Sequence, residues 1–186
     1  MSERMAFGIV GILILAAFPL YGGGQSLLAG DSWKIGLALC MANSVAVMMI
    51  GVLMRPVIAT GAPTTGWIYL AARIGEGLLL AFGVLALTGF QFTGLSGDDL
   101  YRLGMVSLGV GSLFMCRWLI RSTRVPAAIG WLGIVGYGCL VLSMAAAHLG
   151  QENLSMGLLI PGAVFEIIFG VMLVVGKVKT SMFSGA

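Results

Sequence analysis

Six stretches of about 17 to 25 mostly apolar residues follow one another along this chain of 186 residues, each bounded by Gly, Pro or charged residues. At a rise of 1.5 Å per residue, each is long enough to cross a hydrocarbon core about 30 Å thick. They run over about residues 5–21, 34–54, 66–90, 101–121, 127–149 and 155–176. Residues 78–87 lack the period-2 alternation of a lipid-facing strand, which speaks against a β-barrel. The expected fold is all-α: one domain over residues 1–186, a polytopic integral membrane bundle of six transmembrane helices.

Charge sharpens that reading. Only 9% of residues are charged, against about 25% in a soluble domain, and the mean hydropathy is +1.06. A chain of this kind cannot clothe a water-facing surface, so membrane lipid is its expected surroundings. The net charge of +3 does not point to nucleic acid, because the basic residues sit at the ends of apolar runs. With the N-terminus inside, Arg4, Arg55, Arg121, Arg124, Lys177 and Lys179 share the inner face, with Arg117 close behind. Lys34 and Arg102 remain outside, among Asp31, Asp98, Asp99 and Glu152. The positive-inside rule then makes both termini cytoplasmic, in the inner membrane of a prokaryote. Arg117, Arg121 and Arg124 are expected to reach lipid headgroups. Ser2-Glu3-Arg4 is a weak signal-peptide start and no A-x-A-like site follows, so the first run reads as an uncleaved span.

Local breakers set the expected ends. Pro19 with Gly22-Gly23-Gly24 should break the first helix, Arg55-Pro56 should stop the second, and Pro161-Gly162 should kink the sixth.

The third run carries the chemistry. Arg73 and Glu76 lie near its middle at i, i+3, and Tyr69 continues their face four residues earlier. Helical rise puts Glu76 about 15 Å from the inner start of its run and Glu166 about 16 Å from the outer start of the sixth. Asn43 falls at a similar depth in the second. An ionised group at helix centre costs about 2.5 to 3.5 kcal/mol on insertion scales, so three such groups cannot all face lipid. The expectation is that helices two, three and six pack together, with Arg73 between Glu76 and Glu166 and Asn43 nearby. One arginine against two carboxylates leaves a surplus negative charge, and Glu166, without a basic neighbour in sequence, is the carboxyl expected to hold a proton.

Other classes find little support. Cys40, Cys116 and Cys139 lie inside apolar runs without CxxC spacing, which argues against disulfides and a metal site. His148 is the only histidine, so Ser44, Ser107, Ser112 and Ser143 have no intramembrane base to activate them. Neither a cofactor nor a catalytic residue is called for, and the chain leans away from being an enzyme. Gly130, Gly133 and Gly136 form a smooth face suited to close helix contact, and so to a homo-oligomer or a membrane-protein partner. A weak echo links Glu76…Phe82-Gly83-Val84 with Glu166…Phe169-Gly170-Val171, as two inverted halves would.

Three segments together resemble a known family. Tyr69-Leu70-Ala71-Ala72-Arg73-Ile74-Gly75-Glu76, Ile120-Arg121-Ser122-Thr123-Arg124-Val125-Pro126 and Leu159-Ile160-Pro161-Gly162-Ala163-Val164-Phe165-Glu166 occur in that order. They resemble the bacterial and archaeal membrane family catalogued as domain of unknown function 4386, over about Asn43 to Lys177. The sequence departs from the family's pattern at Ala127-Ala128 and at Arg117. The resemblance implies six membrane helices and carries no established activity. Two functions follow from the residues themselves: small-ligand or proton-linked binding and transport at the buried Arg-Glu-Glu cluster, or an accessory or assembly subunit of a larger membrane complex.

Overall fold

The computed structural model describes residues 1–90 and 94–180. It contains six α-helices: α1 (Glu3–Leu28), α2 (Trp33–Ala59), α3 (Pro63–Leu87), α4 (Gly97–Arg121), α5 (Ala127–His148) and α6 (Glu152–Val174). All six are long and apolar enough to cross a membrane, and no strand occurs among the described residues. The chain is a multi-pass, all-helical membrane protein.

Each helix packs on its neighbours in sequence, and α6 returns to pack on α1, which closes a ring. Close approaches fix the antiparallel register. A methyl group on Gly24 would come within 2.6 Å of the Cys40 sulfur, and one on Gly11 within 2.6 Å of the Gly170 carbonyl oxygen. Gly136 meets the backbone of Pro161 and Gly162 in the same way, at 2.8–3.0 Å. These contacts fit a bundle in lipid, where apolar side chains gain nothing by leaving the solvent and close backbone packing holds helices together.

Two helices outrun their expected ends. α1 continues through Pro19 and the three glycines to Leu28, and α2 continues through Pro56 to Ala59. In hydrocarbon a broken helix strands several backbone groups, whereas one proline frees a single carbonyl, so continuation is the cheaper solution. α4 opens with a reciprocal cap in which Ser96 Oγ accepts from the Asp99 amide and Asp99 accepts from the Ser96 amide.

The start of α1, the α2–α3 turn, the α4–α5 turn and the end of α6 share one end of the bundle, here called the terminal end. Arg124, in the α4–α5 turn, ties it together. It pairs with Glu3, donates to the Lys179 carbonyl oxygen at 3.2 Å, and lies 5.1 Å from the Trp118 ring centre. Arg124 is only 7% exposed, so it clasps protein segments and does not reach for headgroups as expected. Arg117 and Arg121 are exposed.

The terminal half of the ring is solid. Phe7, Val10, Met54, Ile58, Met115, Leu119, Phe165 and Phe169 fill it as one apolar cluster. Phe165 is 0% exposed, stacks on Phe169 with ring centres 5.4 Å apart, and meets Tyr137 edge-on at 5.5 Å. The glycine face of α5 belongs to this interior. Gly130 abuts Ile120, Gly133 abuts Cys116 and Phe165, and Gly136 abuts α6. That face is occupied by α4 and α6, which corrects the expectation that a second chain docks there.

Candidate functional site

α3 presents Tyr69, Arg73 and Glu76 on one buried face, one helical turn apart. The Arg73 Nη1 donates to Glu76 Oε2 at 2.8 Å, and Arg73 Nε donates to the Tyr69 hydroxyl oxygen at 3.0 Å. The guanidinium also lies 5.4 Å from the Tyr69 ring centre. Glycines of α2 and α3 make room for this face. Gly51 lets the α2 backbone approach the Arg73 Cβ, and Gly77 lets Met48 and the Ser44 carbonyl approach α3.

Glu166 reaches the same interior from α6, but by another route. It accepts a hydrogen bond at Oε1 from the Tyr137 hydroxyl at 2.9 Å. Among the described residues, Arg73 forms its ion pair with Glu76 and forms none with Glu166. The expected arrangement, with Arg73 bridging two carboxylates, is therefore corrected. The reason is topological: α6 packs on α5 and α1, not on α2 or α3. Glu166 looks across the lumen at the α3 group, and α5 supplies its donor.

The lumen between them is open. A cavity of about 280 Å³ is lined by Asn43 of α2, Arg73 and Glu76 of α3, and Glu166 of α6. Its walls are mostly apolar and include Ile14 and Phe18 of α1, Val47 and Ile50 of α2, and Met105 and Leu108 of α4. The four polar residues cluster at mid-depth, here called its floor, and most of its other lining residues lie between there and the opposite, loop end of the bundle. There Tyr21 of α1 stacks on Tyr101 of α4, ring centres 5.6 Å apart and planes 12° from parallel. Beyond this pair a second cavity of about 250 Å³ shares Tyr21, Leu80 and Tyr101 and reaches Gln25 and Asp98 at the loop end. Deep cavity and vestibule thus meet at a tyrosine pair.

Within the floor, Asn43 is 3% exposed and its Oδ1 has no hydrogen-bond partner. A buried amide oxygen left unpaired costs about 1–3 kcal/mol, so it is an acceptor in want of a donor. Glu166 remains part-exposed despite its depth, because it faces the cavity.

Ser44, Ser107 and Ser143 donate to the backbone carbonyls of Cys40, Ala72 and Ser155. His148 is exposed at the end of α5. Among the described residues, no group of His, Cys, Asp and Glu gathers that could hold a metal ion.

The sequence reading overlooked Tyr137, Tyr21 and Tyr101. Its available signal was a phenol inside an apolar run: a buried Tyr hydroxyl needs a partner, and in hydrocarbon that partner must be protein.

Residues 90–176 match the model of a family described as a domain of unknown function (DUF4386). The family resemblance is shown over that stretch. The DUF4386 match takes in Tyr101, Tyr137 and Glu166, while Asn43, Tyr69, Arg73 and Glu76 lie before it. No curated protein and no solved structure matches the chain.

Proposed function

We propose that this protein binds a small ligand inside the membrane, admitted from the loop end and held at mid-depth by Asn43, Arg73, Glu76 and Glu166. One observation carries the reading: the charged floor lines a cavity that a second cavity continues past the Tyr21–Tyr101 pair toward the loop end, while apolar side chains fill the other half. Arg73 and Glu76 are nearly sealed, at 3% and 2% exposure, but Glu166 stands part-exposed on the cavity, which a pair serving only to fix helix register does not require. Arg73 is already paired with Glu76, so Glu166 is the member left to carry a proton or to meet a ligand. The basic residues at the terminal end support an orientation with both termini in the cytoplasm of a prokaryote and the cavity opening outward. The accessory-subunit alternative loses its best surface, because α4 and α6 cover the glycine face of α5.

Accessibility tests this directly. In a background with Cys40, Cys116 and Cys139 replaced by alanine, single cysteines are placed at Ala17 or Met105, beside the cavity, and at Met54, in the packed half. A water-soluble maleimide added to protein in lipid nanodiscs is expected to label the first two and spare Met54→Cys. Equal protection of all three positions would overturn the reading.

A further inference from the structure

The chemistry of the cavity goes further and specifies the class of ligand, building on the binding reading above. From mouth to floor, the path carries an excess of acceptors and negative charge. The loop end holds Asp31, Asp98, Asp99 and Glu152 against Lys34 and Arg102, and Asp98 itself lines the vestibule. The floor holds two carboxylates against one guanidinium, and that guanidinium already serves Glu76 and Tyr69.

What the floor lacks is a second positive charge. Glu166 accepts from Tyr137 at Oε1, and its other oxygen has no protein donor among the described residues. Asn43, whose Oδ1 is buried and unpartnered, lines the same cavity. One carboxylate oxygen in want of a donor thus faces a space whose walls are mostly aliphatic and aromatic. An anionic ligand would meet surplus negative charge at both ends of the path. A neutral one would leave that surplus to be met by a proton on Glu166, with no charge contributed by the ligand.

We infer that the site takes a protonated primary amine on a compact apolar body, its ammonium donating to the Glu166 oxygen that Tyr137 leaves free. The ammonium supplies a charged donor to that oxygen and one positive charge against the surplus carboxylate. The apolar body lies against Ile14, Phe18, Val47 and Met105. Tyr21 and Tyr101, through which the ligand passes, present aromatic surface that attracts a cation.

Three probes of like shape and different head group test the assignment: benzylamine, benzyl alcohol and benzoate, titrated against the full chain in nanodiscs by calorimetry. Benzylamine is expected to bind saturably and at least about tenfold more tightly than benzyl alcohol, the difference a charged hydrogen bond makes. Glu166→Gln keeps an oxygen for the Tyr137 hydroxyl, and it should weaken benzylamine about tenfold while leaving benzyl alcohol unchanged. Glu166→Asp, which keeps the charge, should retain part of the affinity. Benzoate binding as well as benzylamine would overturn the amine assignment, and so would a Glu166→Gln variant that binds benzylamine normally. If no probe binds while Ala17→Cys is labelled, the amine class falls and the open cavity stands. If no probe binds and Ala17→Cys is protected, both readings fall.

Discussion

The two halves of this bundle use the same six helices to opposite ends. Toward the termini, aromatic and aliphatic side chains fill the ring, and Arg124 clasps the first helix, the α4–α5 turn and the C-terminal segment. Toward the loops, the same ring encloses a cavity, with a stacked tyrosine pair across it. The ring closes in both halves through backbone contacts at glycines, so its integrity does not depend on a filled lumen. A filled half sets the geometry; the open half is then free to carry unpaired acceptors and charge.

Substitutions can break or sharpen this contrast. The largest effect is expected at the boundary. Glu76→Gln leaves Arg73 buried without its counter-charge and should cost about 3–5 kcal/mol in a reversible unfolding assay in bicelles. Glu166→Gln, across the lumen, should cost no more than about 1 kcal/mol, because the amide oxygen still accepts from Tyr137. Equal losses would show that the two carboxylates form one unit, against the geometry described.

The two halves compare most directly through phenylalanine. Phe165→Ala removes a ring that is 0% exposed between Phe169 and Tyr137, and should cost about 3 kcal/mol in the same assay. Phe18→Ala removes one that is 37% exposed at the cavity wall, and should cost less than about 1 kcal/mol. Similar values at both sites would erase the distinction between a packed and an open half.

Arg124→Ala is the smallest of the three tests. It removes the pairing with Glu3 and the hydrogen bond to Lys179, for an expected loss of about 1–2 kcal/mol. Amide exchange should quicken in the first turn of α1 and at Lys179, whose amide donates to the Arg124 carbonyl. Unchanged exchange at the cavity level would keep the two halves separate.

Much of the architecture was legible in the sequence, because lipid leaves a chain few choices. Every backbone group must be satisfied within its own segment, so apolar runs of the right length become helices. The same constraint explains the misreadings at Pro19 and Pro56, where rules learned in water predict a stop and hydrocarbon favours continuation. The cluster was legible in part. Spacing alone puts Tyr69, Arg73 and Glu76 on one face, since those contacts are local to a helix. The partner of Glu166 was not, because charge counting sees an arginine and a carboxylate but not the lumen between them or the neighbouring helix that supplies Tyr137. Arg124 was misjudged for a related reason: a basic residue in a short turn looks headgroup-bound until the first and last segments are seen to converge on it.

Pro19 has a mechanical consequence. Its nitrogen carries no hydrogen, so the Leu15 carbonyl lacks its helical donor, and α1 is weakest midway along the cavity wall. Below that point, Gly11 anchors the helix against α6; above it, the helix carries Tyr21 and Gln25. A bend there would turn the upper arm as a lever on a fixed post, parting Tyr21 from Tyr101 while the crossing of α1 and α6 stayed where it is.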